Sequence, residues 1–548
     1  MADPEEHVVE NILRNITRFI NGLSDENRNT RKRSLEGIRK EILSRKPQLE
    51  PTDLQQALKE IVKPLLQVLS DPVEKCRDLS LCFMADCLQV VPEPYNFLSF
   101  IIPVVVQRLG QQDIVEPSEE LRLSLVKLLL LLVESCKKKM GPYVDDMVKI
   151  LQRTIIDPYP EVKKESCHCA SALAKAVPEF FHMQSETLIK PLLMSISHQH
   201  SRVRVDVIKT IGDVIQYGNG KSVDDVVSHL AQRLFDTSPM VRAGVIQVVG
   251  QWLLDLPDRY SFHYKLIPLL LSGITDEVAE IRAQADALWN DVGVKYESEN
   301  EKDLKDLQDF PPPDPDHYPP GVEPPNLGCR KLVYHNFSKI VPGIVNDITD
   351  WVAPTRIKSA HLLYTLMLDE GDNVTQHLEK VLGGLYRAAM DDEQEVVKYV
   401  EKSAELIGYF VSPKVWCKMI LDGVRLTQSV GSLIVLAAII RGSRQADMKS
   451  HLDDIVGVIT EPSLCRVADA SLQYHLLACV ESLTLVSKDD CTDISLSLFS
   501  LLITVLALHR ADIVKDQVHK LLVKLAEVQH LEGVQDLYSA HTRVVWPD

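Results

Sequence analysis

The chain has 548 residues, which exceeds one compact domain of about 100–200 residues and leaves either several domains or one long array. Hydrophobic residues make up 45% of it, charged residues 25% and aromatic residues only 6%, a composition typical of folded helical proteins rather than disordered ones. The formal net charge is −17, and no block of lysine and arginine is dense enough to neutralise a run of phosphates. General affinity for nucleic acid or for an anionic membrane is therefore disfavoured.

The first residues and the cysteines bear on the cellular compartment. The chain begins with acidic residues and has no apolar core of a secretory signal there. Its longest uncharged stretch, 494–508, is shorter than the roughly 18–20 residues of a membrane span. Eleven cysteines are scattered singly, with no CxxC pair, as is typical of buried thiols in a reducing compartment. We therefore expect a soluble protein of the cytosol or nucleus.

A basic residue follows an acidic residue by six positions many times along the chain, and these pairs recur about every forty residues. A period of roughly 40–47 residues is the signature of HEAT or armadillo repeats, so the sequence predicts an all-α solenoid. An acid in a turn can accept from early helix N–H groups and reach the base of the adjacent unit, which predicts a ladder of charged side chains. The pairs are Asp25/Arg31, Asp71/Arg77, Glu116/Arg122, Asp157/Lys163, Asp236/Arg242, Asp276/Arg282, Asp350/Arg356 and Asp392/Lys398, with Arg204 in the same rhythm and His198 in place of its acid.

Each pair is predicted to lie at the turn between a first helix, A, and a second helix, B, of one hairpin. Apolar residues at spacings of three and four give each helix one apolar face, as at Val241, Val245 and Val248. Prolines inside several A helices remove a backbone hydrogen bond, a habit that favours HEAT repeats over plain helical hairpins. We predict about twelve hairpins, near 5–44, 53–90, 95–136, 142–176, 185–217, 222–255, 261–296, 329–369, 374–411, 412–442, 448–487 and 491–528.

The rhythm is interrupted once, after the seventh hairpin. Residues 297–328 are acidic and then proline-rich, which predicts a loop or semi-rigid linker. We therefore divide the chain into an N-terminal HEAT array at 1–296, the linker at 297–328 and a C-terminal HEAT-like array at 329–548. The last three hairpins of the second array lack the acid–base pair.

No motif predicts catalysis or a bound cofactor. The stretch GNGKS at 218–222 lacks the upstream glycine and the preceding strand of a phosphate-binding loop, so we interpret it as a turn between repeats. Cys167 and Cys169 have no second pair at a zinc-like spacing and are interpreted as helix-packing residues. The sequence therefore predicts a protein that is not an enzyme, with no catalytic residue, cofactor or metal site.

Two further features concern partners. The one basic cluster, Arg28–Ser34, is interpreted as a solvated helix face, with a local anionic docking site as the alternative. Trp252, Trp289 and Trp351 are interpreted mostly as core residues, although large exposed aromatics are also what a binding hot spot uses.

Several strings resemble one family of HEAT-repeat proteins. They include HMQSETLIKPLLMSISHQH at 182–200, GNGKSVDDVVSHLAQRLFD at 218–236 and DRYSFHYKLIPLLLSGITDEV at 258–278, and the likeness continues through DITDWV at 347–352 and SAELIGYFVSPKV at 403–415. On these strings the chain resembles the HEAT-repeat dynein axonemal assembly factors of type five, also called HEAT repeat-containing protein two. Members of that family continue with further repeats, so we expect a shortened form or a fragment. The family offers no motif whose contact residues could be carried over.

The resemblance implies a cytoplasmic, non-enzymatic factor that preassembles axonemal dynein arms before their transport into motile cilia. Its expected partners are axonemal dynein chains and chaperone or co-chaperone complexes. We expect the concave surface formed by the B helices to hold such a partner, because stacked hairpins present an extended groove. The alternative is a general HEAT scaffold or adaptor of the nuclear-transport or phosphatase type.

Overall fold

The computed structural model describes residues 4–308 and 317–545, and every regular element within those ranges is a helix. The chain divides into two compact units, Met1–Arg259 and Tyr260–Asp548. Each unit is a stack of antiparallel hairpins, so the predicted all-α solenoid of HEAT-type repeats is confirmed within each unit. The division lies after Arg259, whereas the sequence interpretation placed the end of the first array at residue 296.

In the first unit, A helices pack on A helices and B helices pack on B helices of the next hairpin. The B helices are α2, α4, α6, α8, α11 and α13, and the A helices are α1, α3, α5, α7, α10 and α12. Their bounds are α1 Pro4–Gly22, α2 Arg28–Ile42, α3 Pro51–Val68, α4 Glu74–Leu88, α5 Leu98–Leu109, α6 Glu119–Cys136, α7 Val144–Thr154, α8 Pro160–Ala176, α9 Pro178–Phe181, α10 Glu186–Ser195, α11 Ser201–Gln216, α12 Val223–Arg233 and α13 Pro239–Asp255.

In the second unit the B helices are α15, α18, α20, α22, α26 and α28, and from α18 onward each packs on the next. Its bounds are α14 His263–Leu271, α15 Ala279–Glu299, α16 Glu301–Gln308, α17 Leu327–Asp347, α18 Ala353–Glu370, α19 Leu378–Ala388, α20 Gln394–Phe410, α21 Pro413–Thr427, α22 Val430–Gly442, α23 Gln445–Met448, α24 Leu452–Ile459, α25 Pro462–Cys465, α26 Ala470–Ser487, α27 Cys491–Leu508, α28 Asp512–Val528 and α29 Val534–Val545.

Proline marks the A helices of both units. Five prolines lie inside them, where the ring removes one backbone hydrogen bond and the helix must adjust locally. B helices instead use proline at their first turn, where the missing N–H has no intrahelical partner to lose, as at Pro160 and Pro239. The prolines within A helices are Pro64, Pro103, Pro191, Pro268 and Pro342.

The predicted linker is partly helical. Helix α15 runs to Glu299 and α16 follows at Glu301–Gln308, with Leu304 buried, so the acidic half of the insert extends the repeat structure. Residues 309–316 lie outside the described part of the chain. On the far side, Tyr318 is buried and its ring contacts Phe410 at 5.0 Å between centroids. The insert is therefore held against the repeats at both of its described ends.

One stretch, Ala470–Leu508, is long and apolar enough by composition to cross a membrane. In this structure it is not one rod, because the short turn Lys488–Asp490 separates α26 from α27. Helix α26 packs between α22 and α28, and α27 packs on α28. The apolar surface of this stretch is thus used in the hairpin stack.

Helix α22 is buried on nearly every side and packs closely on α20. A Cβ added at Gly442 would lie 2.0 Å from the backbone oxygen of Glu405, and one added at Gly408 would lie 2.2 Å from that of Ile439. The two glycines therefore allow the two backbones to approach. A helix buried on nearly every side has no solvated face, which is why α22 is apolar all round.

We expect Gly442→Ala to lower the free energy of unfolding by about 1–3 kcal/mol, because a backbone oxygen cannot move aside as a flexible side chain can. Gly457→Ala in α24 is the matched control, since a Cβ there meets nothing within 4 Å and alanine favours a helix. Urea unfolding of the three proteins measures both effects. Equal stability of Gly442→Ala and the parent would show that α20 and α22 do not approach as described.

Candidate functional site

The predicted ladder joins neighbouring hairpins of the first unit through arginine–carboxylate pairs. Arg31 donates from Nε and Nη2 to Asp71 at 2.6 and 3.0 Å. Arg77 makes the same forked contact with Glu116 at 3.0 and 2.8 Å. In each case the base of one hairpin reaches the turn acid of the next, a geometry that only the planar guanidinium provides.

Arg122 continues this row, donating to both oxygens of Asp157 at 2.8 and 3.0 Å. Its remaining nitrogen, Nη1, donates to the carbonyl oxygens of Glu116 and Pro117 in its own turn. On the acid side, Asp157 Oδ1 also accepts from the backbone N–H of Tyr159 at 2.8 Å. Each rung therefore fixes two turns at once, its own and the next one.

The rungs lie inside the protein rather than on its surface. Arg77, Glu116, Arg122 and Asp157 are all buried. Burial alone would raise the pKa of Glu116, but hydrogen bonds from Arg77 and Arg108 outweigh that effect and hold the pKa below its ordinary value. Arg108 is a partner that the six-residue spacing did not reveal, because it comes from the preceding A helix.

One rung of the first unit lacks its acid. Lys163 faces the next hairpin, where His198 stands in place of the carboxylate, and its Nζ lies 3.4 Å from Ser195 Oγ. Burial lowers the pKa of Lys163, and burial together with the charge of Lys163 lowers the pKa of His198. The row then resumes, since Arg204 donates to Asp236 at 2.7 Å. The predicted pair Asp157/Lys163 therefore contributes only its acid to a rung.

The terminal members of the first unit keep the turn contacts. Asp25 Oδ1 accepts from the backbone N–H of Asn27 at 2.7 Å, and Arg242 Nη1 donates to the carbonyl oxygen of Asp236 at 2.8 Å. Every acid of this row thus accepts from the backbone N–H two residues on, and His198 Nδ1 makes the same turn contact with His200 N–H at 3.1 Å.

The ladder is interrupted early in the second unit. Asp276 caps its turn and Arg282 donates to the carbonyl oxygens of Asp276 and Glu277, but within the described residues Arg282 meets no carboxylate. The reason is the packing of α15, which lies against the A helix α17 of the following hairpin rather than against its B helix α18. Asp350 therefore caps only its own turn, through Val352 N–H at 2.7 Å.

The last predicted pair needs a correction of one residue. Arg356 makes its forked contact with Asp391, at 2.6 and 3.0 Å, and only one further bond to Asp392. Asp391 is also the acid that caps the turn, accepting from Glu393 N–H at 2.8 Å, whereas the side chain of Asp392 is 87% exposed. Lys398 bonds Glu395 within its own helix, so Asp392 and Lys398 do not form a rung.

A second set of charges lies on the exposed side of the B helices. This B-helix face carries ion pairs between neighbouring helices, such as Lys175 with Asp213 at 2.9 Å in the first unit and Arg441 with Glu401 at 2.7 Å in the second. Sequence spacing did not find them, because any solvated helix face shows mixed charges. Exposed pairs of this kind contribute only about 0–1 kcal/mol each, so they can exchange partners at little cost.

A groove of about 540 Å³ crosses the B-helix face at α8, α11 and α13. Lys175 and Lys209 contribute positive charge to its lining, Asp213 and Asp255 contribute negative charge, and Trp252 lies at its floor. Trp252 is buried and donates from Nε1 to the carbonyl oxygen of Gly212 at 3.1 Å, so it serves as a rigid support. The groove therefore presents charges of both signs around a buried, hydrogen-bonded tryptophan.

A second cavity, of about 320 Å³, lies in the second unit beside α17 and the end of α18. Glu370 lines it, is buried, and has no hydrogen-bond partner for either carboxylate oxygen among the described residues. The neighbouring Asp369 is also buried and accepts from Trp289 Nε1 at 3.1 Å. Burial raises the pKa of Asp369 to about 7 against the opposing effects of Trp289 and Arg330, and burial with the charge of Asp369 raises the pKa of Glu370 to about 7.

The three tryptophans of interest separate clearly. Trp252 and Trp289 are buried, as interpreted from the sequence, whereas Trp351 is 90% exposed.

The metal-binding interpretation that the sequence disfavoured concerns Cys167 and Cys169, both of which are buried in α8. Among the described residues no group of three histidine, cysteine or acidic side chains could hold a metal ion.

Residues 22–307 match a family model described as "Dynein axonemal assembly factor 5-like, TPR repeats", and residues 316–509 match "Dynein axonemal assembly factor 5, HEAT-repeat domain". The chain belongs to the dynein axonemal assembly factor 5 family. The resemblance seen in the sequence is thereby confirmed.

Curated relatives agree with these models. Dynein axonemal assembly factor 5 of Xenopus laevis is 51% identical over 98% of this chain and 64% of its own length. The Homo sapiens protein of that name is 45% identical over 97% of this chain and 63% of its own. This chain therefore spans slightly less than two thirds of these relatives. Among solved structures, Kap121p covers 98% of this chain and 55% of its own with 12% identity and a TM-score of 0.38, a level too low to support any argument.

We expect Arg122→Met to lower the free energy of unfolding by about 2–4 kcal/mol, because it leaves the buried Asp157 without its charged partner while keeping most of the side-chain bulk. Arg282→Met is the matched control at the same repeat position, where no carboxylate is contacted, and should cost about 1 kcal/mol or less. Urea unfolding of both variants measures the difference. Equal losses would contradict a structural role for the forked contact.

The raised pKa values of Asp369 and Glu370 predict that stability falls as pH rises from about 4 to 7, because in that window the folded state binds more protons than the unfolded chain. We expect Asp369→Asn, which keeps an oxygen acceptor for Trp289, to reduce the loss of stability between pH 5 and 8 by about 2 kcal/mol. Chemical unfolding at both pH values measures this. Glu280→Gln on the exposed side of α15 controls for the loss of one negative charge, and an identical reduction in that variant would contradict the assignment.

Proposed function

We propose that this chain is a non-enzymatic scaffold for the cytoplasmic preassembly of axonemal dynein arms, acting beside chaperones in cells that build motile cilia. Membership of the dynein axonemal assembly factor 5 family supports a role in dynein assembly. The proposal that this role is that of a non-enzymatic scaffold rests on the surface of the repeats. Its place of action is proposed as the cytoplasm, before the arms are transported.

The observation that carries this proposal is the groove across α8, α11 and α13. Three B helices contribute to it, and its lining charges include the partly exposed pair of Lys175 with Asp213. A partner polypeptide with charges of both signs can replace those pairs one by one, so binding need not leave any charge unpaired. The Arg204–Asp236 contact holds α11 to the turn before α13 while the charges on the B-helix face change partners. Helices α8 and α11 are held together by direct packing.

A scaffold of this kind stabilises an assembly intermediate by holding it rather than by chemistry. Long helical stacks bind through many modest contacts, and each lost contact weakens the complex without abolishing it. We therefore propose that the B-helix face of the first unit contacts an axonemal dynein chain, directly or through a chaperone that carries it.

We expect the double variant Lys175→Glu/Lys209→Glu to recover at least about fivefold less axonemal dynein chain than the parent when both are purified from the cytoplasm of ciliating cells. Lys149→Glu/Lys190→Glu is the matched control, with two exposed lysines reversed on the A helices α7 and α10. Quantitative mass spectrometry of the purified material gives the ratio. Loss of dynein in the A-helix variant with full binding in the B-helix variant would place the contact on the other face.

The alternative function, a general adaptor of the nuclear-transport or phosphatase type, makes a different forecast for the same experiment. Transport GTPases or phosphatase subunits would then dominate the recovered proteins, and the B-helix reversals would reduce those instead. Family membership favours the dynein proposal over this alternative.

A further inference from the structure

Trp351 occupies a position where the fold does not need an aromatic residue. It lies in the turn between α17 and α18, one residue after the turn acid Asp350. Eight other repeat turns carry a turn acid or His198 in its place, and in each the following residue is polar, charged or proline. These equivalents of Trp351 are Glu26, Pro72, Pro117, Pro158, Gln199, Thr237, Glu277 and Asp392.

The side chain contributes little to packing where it stands. Trp351 is 90% exposed, while Trp252, Trp289 and Trp416 are buried. Leaving an indole in water forgoes the stabilisation that burying its large apolar surface would give. Because eight related turns form without an aromatic residue, the presence of Trp351 points to a contact outside this chain.

The turn that presents Trp351 is held firmly. Asp350 Oδ1 accepts from Val352 N–H at 2.7 Å, and Arg356 Nη1 donates to the carbonyl oxygens of Asp350 and Trp351 at 3.1 and 3.3 Å. The other nitrogens of Arg356 bind Asp391 in the next turn. A partner that covers the indole therefore loses little backbone freedom in this chain, which is the usual benefit of preorganisation.

The neighbouring turns supply more exposed apolar surface and negative charge. Met390, directly before Asp391, is 58% exposed, and Leu426, at the end of the next A helix α21, is 85% exposed. Asp347, the last residue of α17, lies four residues before Trp351, and Asp392 accepts one bond from Arg356 Nη2; both are exposed carboxylates. We call this set, Asp347, Trp351, Met390, Asp392 and Leu426, the Trp351 edge.

These features determine the chemistry of the occupant. Exposed carboxylates beside an indole favour arginine and lysine, and an arginine can in addition stack on the indole face. Met390 and Leu426 add apolar contact area for a hydrophobic side chain. A second acidic copy meeting this edge with its own is disfavoured by the net charge of −17.

We propose that the Trp351 edge docks a partner polypeptide segment in which hydrophobic residues alternate with arginine or lysine residues. This site lies on the turns of the second unit and is separate from the B-helix face invoked for dynein assembly, so either can fail without the other. Trp351 is its anchor, and Asp347 and Asp392 select basic residues over acidic ones.

The test uses the full chain and two synthetic peptides of about twelve residues, one with alternating leucine and arginine pairs and one with glutamate in place of arginine. Calorimetry measures the dissociation constant of each. We expect the leucine–arginine peptide to bind, Trp351→Ala to weaken it at least about tenfold, and Trp351→Phe to retain part of the affinity. The double variant Asp347→Lys/Asp392→Lys should also weaken it, and the glutamate peptide should not bind.

Met240→Ala is the control, since it removes an exposed apolar side chain from the first unit, and it should bind the peptide as the parent does. Thermal unfolding checks that Trp351→Ala is folded, as expected for a side chain with almost no intramolecular contact. Equal affinity of Trp351→Ala and the parent, or binding of the glutamate peptide, would overturn the proposal. Sedimentation showing a dimer that Trp351→Ala dissolves would name a second copy as the occupant and overturn it as well.

Discussion

The forked contact between an arginine at the start of one B helix and a carboxylate in the next turn is the interaction that fixes the register of most repeats in the first unit. Apolar packing between hairpins supplies most of the stability, at roughly 25 cal/mol per Å² of buried surface, but it tolerates sliding. An arginine such as Arg77 binds both Glu116 and the carbonyl oxygen of Asp71, and these directional contacts would break if one hairpin slid along the next. The buried rungs convert a loose stack into one with a defined spacing between B helices.

At one of the two places where a rung is missing the packing differs, whereas α8 still packs on α11 beside Lys163. Arg282 meets no carboxylate among the described residues, and its helix α15 packs on α17 instead of on α18. Asp369 and Glu370, both buried, lie close to this irregular junction, with Trp289 of α15 donating to Asp369. In the regular repeats a buried carboxylate is paired with an arginine. Here no arginine makes a forked contact with either carboxyl group, and burial raises the pKa of both to about 7.

The sequence predicted the hairpins and most of the rungs, because a six-residue offset inside a forty-residue period is repeated information. It was wrong by one residue at Asp392, since adjacent acids in a turn look alike until the backbone shows that Asp391 caps it. It did show His198 at the position where the acid that would pair with Lys163 should stand. Apolar periodicity could not predict the exposure of Trp351, since turn residues do not follow it. The absence of an aromatic residue at the equivalent positions of other turns was the available signal. The B-helix pairs depend on neighbours about forty residues away, and Arg108, the second partner of Glu116, lies in an A helix outside the six-residue spacing.

We propose that the B-helix face of this repeat scaffold contacts an axonemal dynein chain or its chaperone in the cytoplasm. Cross-linking mass spectrometry on intact cells that are building motile cilia tests it most directly, because it reports both the partner and the residue. The account predicts cross-links from Lys175 and Lys209 to axonemal dynein chains or to chaperones bound to them, in the cytoplasmic fraction. Cross-links from these lysines solely to transport GTPases or phosphatase subunits would contradict it.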